Sequence, residues 1–224
     1  MSKLIVAHRG GKEFAPENSL EAIEKATEIG APWFEFDLRK TKDGKLIAWH
    51  DPHNHTYDEL NDATDFKVPL LEDVLKLAKG KIKVDLEIKE HGYVEETIKT
   101  VKKYLKYDEI IITSFKSKVL REIKRIDPKY KIGLIIGSRN KWKEFKDLFV
   151  IFRIWLLKAD ILVINYNYLK YRFFFWIPVP IWVWTVNNEK IISKFIHDKR
   201  ITAIITDKPK KALELLSISG SFRK

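Results

Sequence analysis

The sequence predicts an α/β fold in which parallel strands close into a TIM-like (β/α)8 barrel. Nine short runs of aliphatic, β-branched and aromatic residues are spaced along the 224 residues, and amphipathic stretches separate most of them. Strands that alternate with helices favour a parallel sheet, and repetition close to eight times favours a closed barrel. No linker rich in Pro, Gly or Ser divides the chain, so we expect a single domain over residues 1–224.

Each apolar run of four to six residues predicts one buried strand. The predicted strands are Leu4–Ala7, Phe34–Leu38, Leu46–Trp49, Val84–Ile88, Ile110–Thr113, Ile132–Ile136, Ile161–Ile164, Ile181–Val186 and Thr202–Thr206. The predicted helices are Ser19–Ile29, Leu70–Leu77, Tyr93–Tyr104, Lys118–Ile126, Trp142–Leu157, Glu189–Ile196 and Pro209–Leu216. Asn18 is the expected N-cap of the first helix, because Glu21 follows it at the spacing of a capping box.

Nine candidate strands are one more than an eight-stranded barrel contains. Asp43 and Gly44, between the second and third candidates, are a tight-turn signal, and a two-residue turn joins antiparallel strands. Such a turn sets Asp37 directly opposite His50. We therefore expect the barrel to be distorted near residues 33–50, or one of these strands to lie outside it.

The composition bounds the function only loosely. The 42 basic and 31 acidic side chains give a net charge of +11, which attracts nucleic acid, anionic lipid or a phosphate-bearing substrate. No nucleic-acid-binding motif is present, so specific nucleic-acid binding is not expected. The absence of Cys excludes disulfides and cysteine nucleophiles. Neither a signal peptide nor a membrane-spanning run is visible, and we expect a cytoplasmic protein.

Polar side chains that are unusual for buried strands occur at or near the carboxyl ends of the first four apolar runs. They are His8, Arg9, Glu35, Asp37, His50, Glu87 and Lys89. In a barrel these ends converge on one mouth, where catalytic groups gather. Carboxylates that share a small volume repel one another unless a cation neutralises them, and an all-oxygen set favours Mg²⁺ or Ca²⁺ over Zn²⁺. The alternative for Glu35 and Asp37 is an ion-pair network with Arg39 or Lys89.

Two histidines beside a metal suit phosphodiester hydrolysis, because one imidazole can take a proton from the nucleophile while the other protonates the leaving alkoxide. Arg9 and Lys89 supply positive charge for the non-bridging phosphate oxygens. The metal would polarise the phosphoryl oxygen. The residues at the predicted mouth therefore indicate a metal-dependent phosphodiesterase.

Eight short motifs, in this order, resemble the signature of the glycerophosphodiester phosphodiesterase family. They are His8-Arg9-Gly10, Pro16-Glu17-Asn18-Ser19, Glu35-x-Asp37, Asp43-Gly44, His50-Asp51, Glu87-x-Lys89, Trp184-Thr185-Val186-Asn187 and Thr206-Asp207-Lys208-Pro209. The resemblance spans residues 4–210. It implies a TIM-like barrel and metal-dependent cleavage of glycerophosphodiesters to glycerol 3-phosphate and an alcohol.

The resemblance also implies roles for ten residues. The metal ligands would be Glu35, Asp37 and Glu87. The acid and base would be His8 and His50. The substrate-side residues would be Arg9, Glu17, Asn18, Lys89 and Trp184.

Two features of the sequence, one of them a departure from the family pattern, leave the choice of substrate open. Members of this family commonly carry a sizeable insertion after the His-Asp motif, whereas residues 52–68 are a very short one here. Aromatic runs with basic neighbours occur within residues 148–184 and suggest peripheral membrane contact. The alternatives are therefore a lysophospholipase D-like or phospholipase C-like hydrolysis of intact lipids, a basic nucleic-acid-binding protein, and a barrel that only senses metal or phosphate.

Overall fold

The structure is a computed structural model that describes residues 3–137, 149–170 and 177–221, with only the backbone for residues 170, 220 and 221. Its strands are β1 (Leu4–Ala7), β2 (Trp33–Lys40), β3 (Leu46–Ala48), β4 (Lys83–Ile88), β5 (Ile110–Ser114), β6 (Lys131–Ile136), β7 (Ile161–Asn165), β8 (Ile181–Trp184) and β9 (Ile201–Thr206). Its helices are α1 (Leu20–Glu28), α2 (Tyr57–Asp62), α3 (Leu71–Ala78), α4 (Val94–Tyr104), α5 (Ser117–Ile126), α6 (Val150–Leu157), α7 (Glu189–His197) and α8 (Pro209–Ser221). Short 3-10 helices cover His8–Gly10 and Tyr166–Lys170.

Eight of the strands form the predicted closed parallel barrel. The order around it is β1-β9-β8-β7-β6-β5-β4-β2, and pairing between β1 and β2 closes the circle. The extra strand is β3, which pairs only with β2 and runs antiparallel to it. The second of the two expectations for residues 33–50 is therefore confirmed, because the extra strand lies outside the barrel.

The turn between β2 and β3 differs from the prediction. Thr41 donates its backbone N–H to the Lys45 carbonyl at 2.8 Å, so three residues lie between the paired positions. Gly44 has φ +89, the left-handed conformation that closes a three-residue hairpin loop. The Thr41 hydroxyl also accepts the Lys45 N–H at 2.8 Å. The predicted two-residue turn is wrong because the third loop position takes the positive φ.

One extra loop residue shifts the register of this hairpin by one position. The paired residues include Leu38 with Ala48, and Trp49 donates its N–H to the Asp37 carbonyl at 2.9 Å. The predicted pairing of Asp37 with His50 is therefore wrong. A one-residue shift in register exchanges the faces on which cross-strand neighbours lie.

Alternation along the barrel strands separates two apolar cores. On β2 the side chains of Phe34 and Phe36 belong to the core between the barrel and its helices, whereas Trp33 belongs to the core inside the barrel. Trp33 meets Trp182 edge to face inside the barrel, with ring centroids 5.4 Å apart. Since side chains two apart share a face, Glu35 also lies on the inner side of β2.

The helices follow the predicted positions closely, with two differences, and part of one predicted helix lies outside the described residues. Helix α2 in residues 52–68 was not predicted; Thr56 caps it, and Glu59 completes a capping box. Of the predicted helix Trp142–Leu157, the structure describes α6, and residues 142–148 lie outside the described part. The predicted cap of α1 is wrong, because the hydroxyl of Ser19 accepts the Ala22 N–H at 3.1 Å.

Candidate active site

A cavity of about 160 Å³ opens where the barrel strands end. Its lining includes seven charged or imidazole side chains and two aromatic ones: His8, Arg9, Glu35, His50, Asp85, Glu87, Lys89, Phe115 and Trp184. Carboxyl ends of parallel barrel strands meet at one face, which explains why residues so distant in sequence share this cavity.

Three carboxylates come together as predicted. Glu35, Asp37 and Glu87 each offer an oxygen, and these oxygens lie within 4.8 Å of one another. Parallel pairing of β2 with β4 produces the arrangement, because Asp37 is in register with Glu87. Burial raises the pKa of Glu35 well above its usual range, and the charges of Asp37 and Glu87 add to this shift. Burial likewise raises the pKa of Glu87, against the attraction of Lys89.

Asp37 is ionised despite being almost completely buried. Burial favours its neutral form, but the charges of Lys89 and Arg9 outweigh this and lower its pKa to about 2. The Lys89 ammonium lies 2.7 Å from Asp37 and 2.6 Å from Glu87, and Arg9 Nε lies 3.1 Å from Asp37. The ion-pair alternative thus holds for Lys89. It fails for Arg39, which pairs with Glu90.

Asn18 supports the carboxylate cluster from the loop before α1. Its carboxamide accepts the Asp37 N–H and donates to the Asp37 carboxylate, each at 3.1 Å. Asn18 and Arg9 both adopt a left-handed backbone conformation, with φ of 62 and 53, which few residues other than Gly take. The Asn18 N–H donates to the Arg9 carbonyl at 2.9 Å. This local geometry commits Asn18 to Asp37 and leaves the helix cap to Ser19.

Arg9 connects the cluster to the surface. Its backbone N–H donates to Glu35 Oε2 at 2.9 Å, and its guanidinium lies 2.7 Å from Glu17. Glu17 also pairs with Lys12. Both carboxylate oxygens of Glu17 therefore contact cations of the chain, and Glu17 positions Arg9.

Asp207 contacts His8 directly, and Asn187 contacts Asp207 in turn. Neither contact was predicted from the sequence. His8 Nδ1 lies 2.6 Å from Asp207 Oδ1, while its Nε2 lies 3.9 Å from Glu35. Asn187 donates to the other Asp207 oxygen at 2.5 Å and accepts the Asp207 N–H at 2.9 Å. The late motifs contain both residues, but only the pairing of β1 with β9 brings Asp207 to His8, and only the pairing of β8 with β9 brings Asn187 to Asp207.

His50 lies at the same cavity without such a support. It is half-buried, and its Nδ1 lies 2.7 Å from Asp51, which is exposed. Burial lowers the pKa of His50, and the positive charges of Arg9 and Lys89 lower it further against the attraction of Asp37. His50 is therefore neutral near pH 7.

Asp85 is a fourth carboxyl group of the cavity that sequence reasoning missed. It lies two residues before Glu87 on the same face of β4, so the alternation of Asp85, Glu87 and Lys89 was the available signal. Thr113 donates its hydroxyl to Asp85 at 2.7 Å. Burial raises the pKa of Asp85 to about 8, although this hydrogen bond opposes the shift.

The structure separates the two tryptophans that share one face of β8. Trp182 packs inside the barrel, whereas Trp184 lines the cavity and meets Phe115 edge to face at 5.7 Å. The buried indole nitrogen of Trp184 has no hydrogen-bond partner among the described residues. Of the two tryptophans, Trp184 is therefore the one at the cavity.

Comparison with known proteins identifies relatives of this chain. The model of the glycerophosphoryl diester phosphodiesterase family matches residues 8–83. A glycerophosphodiester phosphodiesterase from Caldanaerobacter subterraneus is 32% identical over 166 residues, which cover 60% of this chain and 67% of that protein.

Two solved structures have the same fold along nearly the whole chain. A glycerophosphodiester phosphodiesterase from Parabacteroides distasonis superposes with a TM-score of 0.80 at 26% identity, covering 98% of both chains. One from Thermotoga maritima has a TM-score of 0.80 at 26% identity, covering 96% of this chain and 99% of that chain. The chain belongs to the glycerophosphodiester phosphodiesterase family.

Proposed function

We propose that this chain, as one catalytic domain, hydrolyses glycerophosphodiesters to glycerol 3-phosphate and an alcohol in a metal-dependent reaction. The observation that carries the proposal is the convergence of three carboxylates, two histidines and two cations on one cavity. Family membership supports the glycerol part of the substrate.

The chemistry of the carboxylate cluster fits a hard divalent cation. Glu35, Asp37 and Glu87 are buried, supply only oxygen, and their ligand atoms are close enough to share one ion. Burial is the main reason that the pKa values of Glu35 and Glu87 are raised, and the charge of Asp37 adds to both shifts, so a bound cation would favour the ionised forms of these two carboxyl groups. These residues would hold Mg²⁺ or Ca²⁺. When bound, such an ion polarises the phosphoryl oxygen and neutralises developing charge.

The surroundings of the two histidines differ, and this difference supports a separate role in proton transfer for each. His50 is neutral near pH 7 because burial lowers its pKa, so it can accept the proton of the attacking hydroxyl. Asp207 orients His8, whose Nε2 is on the side of Glu35 and the cavity. His8 then delivers a proton to the leaving alkoxide.

The remaining side chains position the substrate. Arg9 and Lys89 bring positive charge to the non-bridging phosphate oxygens, and Trp184 offers an indole N–H and an aromatic wall. Glu17 and Asn18 act on the substrate through Arg9 and Asp37, which they contact directly.

Release of glycerol 3-phosphate from glycerophosphocholine tests the reaction. Activity should disappear with EDTA and return with excess Mg²⁺ or Ca²⁺. His8→Ala and His50→Ala should each lower kcat by about 100-fold or more, as expected for loss of a general acid or base. His197→Ala, at an exposed position of α7, is the matched control and should resemble the wild type. Activity that survives thorough chelation would contradict the metal role of the carboxylates.

A lysophospholipid is the second candidate substrate, because an apolar groove adjoins the catalytic cavity. The groove lies between α5 and α6, and its lining includes Phe149, Phe152 and Leu156. Phe115 lines both the groove and the cavity, so a headgroup in the cavity places an acyl chain at the groove. Comparing kcat/KM for lysophosphatidylcholine and glycerophosphocholine decides between them. A Phe152→Asp variant should lose only the lipid activity if the groove binds the chain.

A further inference from the structure

Helix α6 carries most of the exposed apolar surface of the described residues. Seven large apolar side chains are exposed among the described residues, and five of them lie on α6 or directly before it. We call these five the α6 face: Phe149, Ile151, Phe152, Trp155 and Leu156. Trp155 is 73% exposed, which is extreme for an indole. Contiguous apolar surface of this kind marks an interaction site rather than scattered surface variation.

The neighbouring helix surrounds this face with positive charge. Lys116, Lys118 and Arg121, at the start of α5, line the groove beside the α6 face, and Arg153 of α6 lines it as well. Among the described residues, no acidic side chain lines this groove, and α6 itself contains none. Apolar side chains bordered by cations complement a surface that is apolar inside and negatively charged outside, which is the chemistry of an anionic bilayer.

The same surface is continuous with the catalytic mouth. Phe115 lines both the groove and the catalytic cavity, and it contacts Trp184 at the cavity wall. A bilayer that covers the α6 face would therefore lie beside the entrance through which a substrate reaches His8 and His50. None of the described helices is long and apolar enough to cross a membrane.

We propose that the α6 face seats the protein on an anionic lipid bilayer, with the cations of the groove at the headgroup phosphates. The proposal goes beyond the catalytic chemistry, because it concerns where the enzyme meets its substrate. It assigns the membrane contact expected within residues 148–184 to α6. Residues 148 and 171–176 of that range lie outside the described part of the chain.

Sedimentation with vesicles tests the proposal on the full chain. The wild type should bind vesicles containing phosphatidylglycerol and should bind pure phosphatidylcholine vesicles much more weakly. The double variant Ile151→Asp/Trp155→Asp should lose about tenfold or more in binding, because two apolar side chains no longer enter the interface. Its activity on glycerophosphocholine should equal that of the wild type, since neither residue lines the catalytic cavity. This activity also shows that the variant is folded.

Two matched variants separate the apolar and the electrostatic parts. Ile218→Asp changes an exposed apolar residue of α8 and should bind vesicles like the wild type. Lys118→Glu/Arg121→Glu should weaken binding to phosphatidylglycerol vesicles, whereas Lys79→Glu/Lys81→Glu, before the amino end of β4, should not.

Four results would overturn the proposal. The first is that the wild type binds no vesicles, and the second is that it binds phosphatidylglycerol and phosphatidylcholine vesicles equally well. The third is that Ile151→Asp/Trp155→Asp binds vesicles as well as the wild type does. The fourth is that the wild type forms a dimer, which this variant converts to monomers, and does not contact vesicles. The last result would show that the α6 face is covered by a second copy of the chain. Each can occur while glycerophosphocholine is still hydrolysed, so these failures are distinguishable from failure of the catalytic proposal.

Discussion

Replacing Asp207 with Asn removes a negative charge while leaving the shape of the side chain nearly unchanged. Both Asp207 oxygens accept hydrogen bonds, one at 2.6 Å from His8 and the other at 2.5 Å from Asn187. An amide has one oxygen and one NH₂ group, so one of these two donors must face another donor. The Asn187 amide cannot exchange the positions of its oxygen and NH₂ group without losing hydrogen bonds, because its oxygen accepts from the Asp207 N–H and from the Thr206 hydroxyl.

The new amide of the Asp207→Asn variant has two possible orientations, and both weaken the support of the His8 imidazole. If the amide oxygen keeps the bond to Asn187, the NH₂ group faces Nδ1 of His8, and this disfavours the doubly protonated imidazolium that the proposed acid role requires. If the oxygen turns to His8, the bond to Asn187 is lost and the charge is still missing. A hydrogen bond to a charged group contributes about 1.5–3 kcal/mol. Since about 1.4 kcal/mol is a factor of ten in rate, kcat should fall by about 10- to 150-fold.

Glycerol 3-phosphate release at saturating glycerophosphocholine measures this effect, and KM should change little because Asp207 does not line the cavity. Asp198→Asn is the matched control: Asp198 pairs with Arg200 just before β9, whereas Asp207 follows the carboxyl end of that strand. A folded Asp207→Asn variant with wild-type kcat would refute the view that this carboxylate orients the catalytic imidazole.

Three further predictions concern the carboxylates and the packing inside the barrel. Glu87→Gln removes one of three clustered carboxylates and should weaken Mg²⁺ or Ca²⁺ binding at least about tenfold by calorimetry; unchanged affinity would exclude Glu87 as a ligand. A Cβ at Gly133 would lie 2.7 Å from Thr113 Cγ2 and 2.8 Å from Ile161 Cγ1, so Gly133→Val should lower the free energy of unfolding by about 1–3 kcal/mol in urea titrations. Burial raises the folded pKa of Asp85 to about 8, above its unfolded value, so the metal-free protein loses stability as pH rises from about 4 to 8. Asp85→Asn should remove this loss and raise the free energy of unfolding at pH 8 by roughly 3–5 kcal/mol; identical pH profiles for the two proteins would contradict it.

The elements of the barrel follow from local sequence because their signals are local. Each strand is a run of residues that must be buried, and each outer helix has one apolar face, so all nine strands could be predicted without contacts. The convergence of Glu35, Asp37 and Glu87 was predictable as well. It needs only the alternation of side chains along a strand and the common direction of parallel strands.

The loop length and the pairing register of the hairpin formed by β2 and β3 could not be predicted from the sequence. The same Asp43-Gly44 pair can close a loop of two or three residues, and the choice decides which side chain faces Asp37. Asn18 shows a similar competition. Its side chain can cap a helix or bind Asp37, and only the approach of β2 to the loop before α1 decides between them.

By itself, the sequence determined the strands, the helices other than α2, and the charged or imidazole groups at the mouth other than Asp85. The tertiary structure alone decided which residues support those groups. His8 and Asp207 are 199 positions apart, and no periodicity relates them. They meet because β1 pairs with β9 when the barrel closes, with Ala7 in register with Thr206. The charge state of Asp85 has the same origin, since burial by the closed barrel, and not the residue type, raises its pKa.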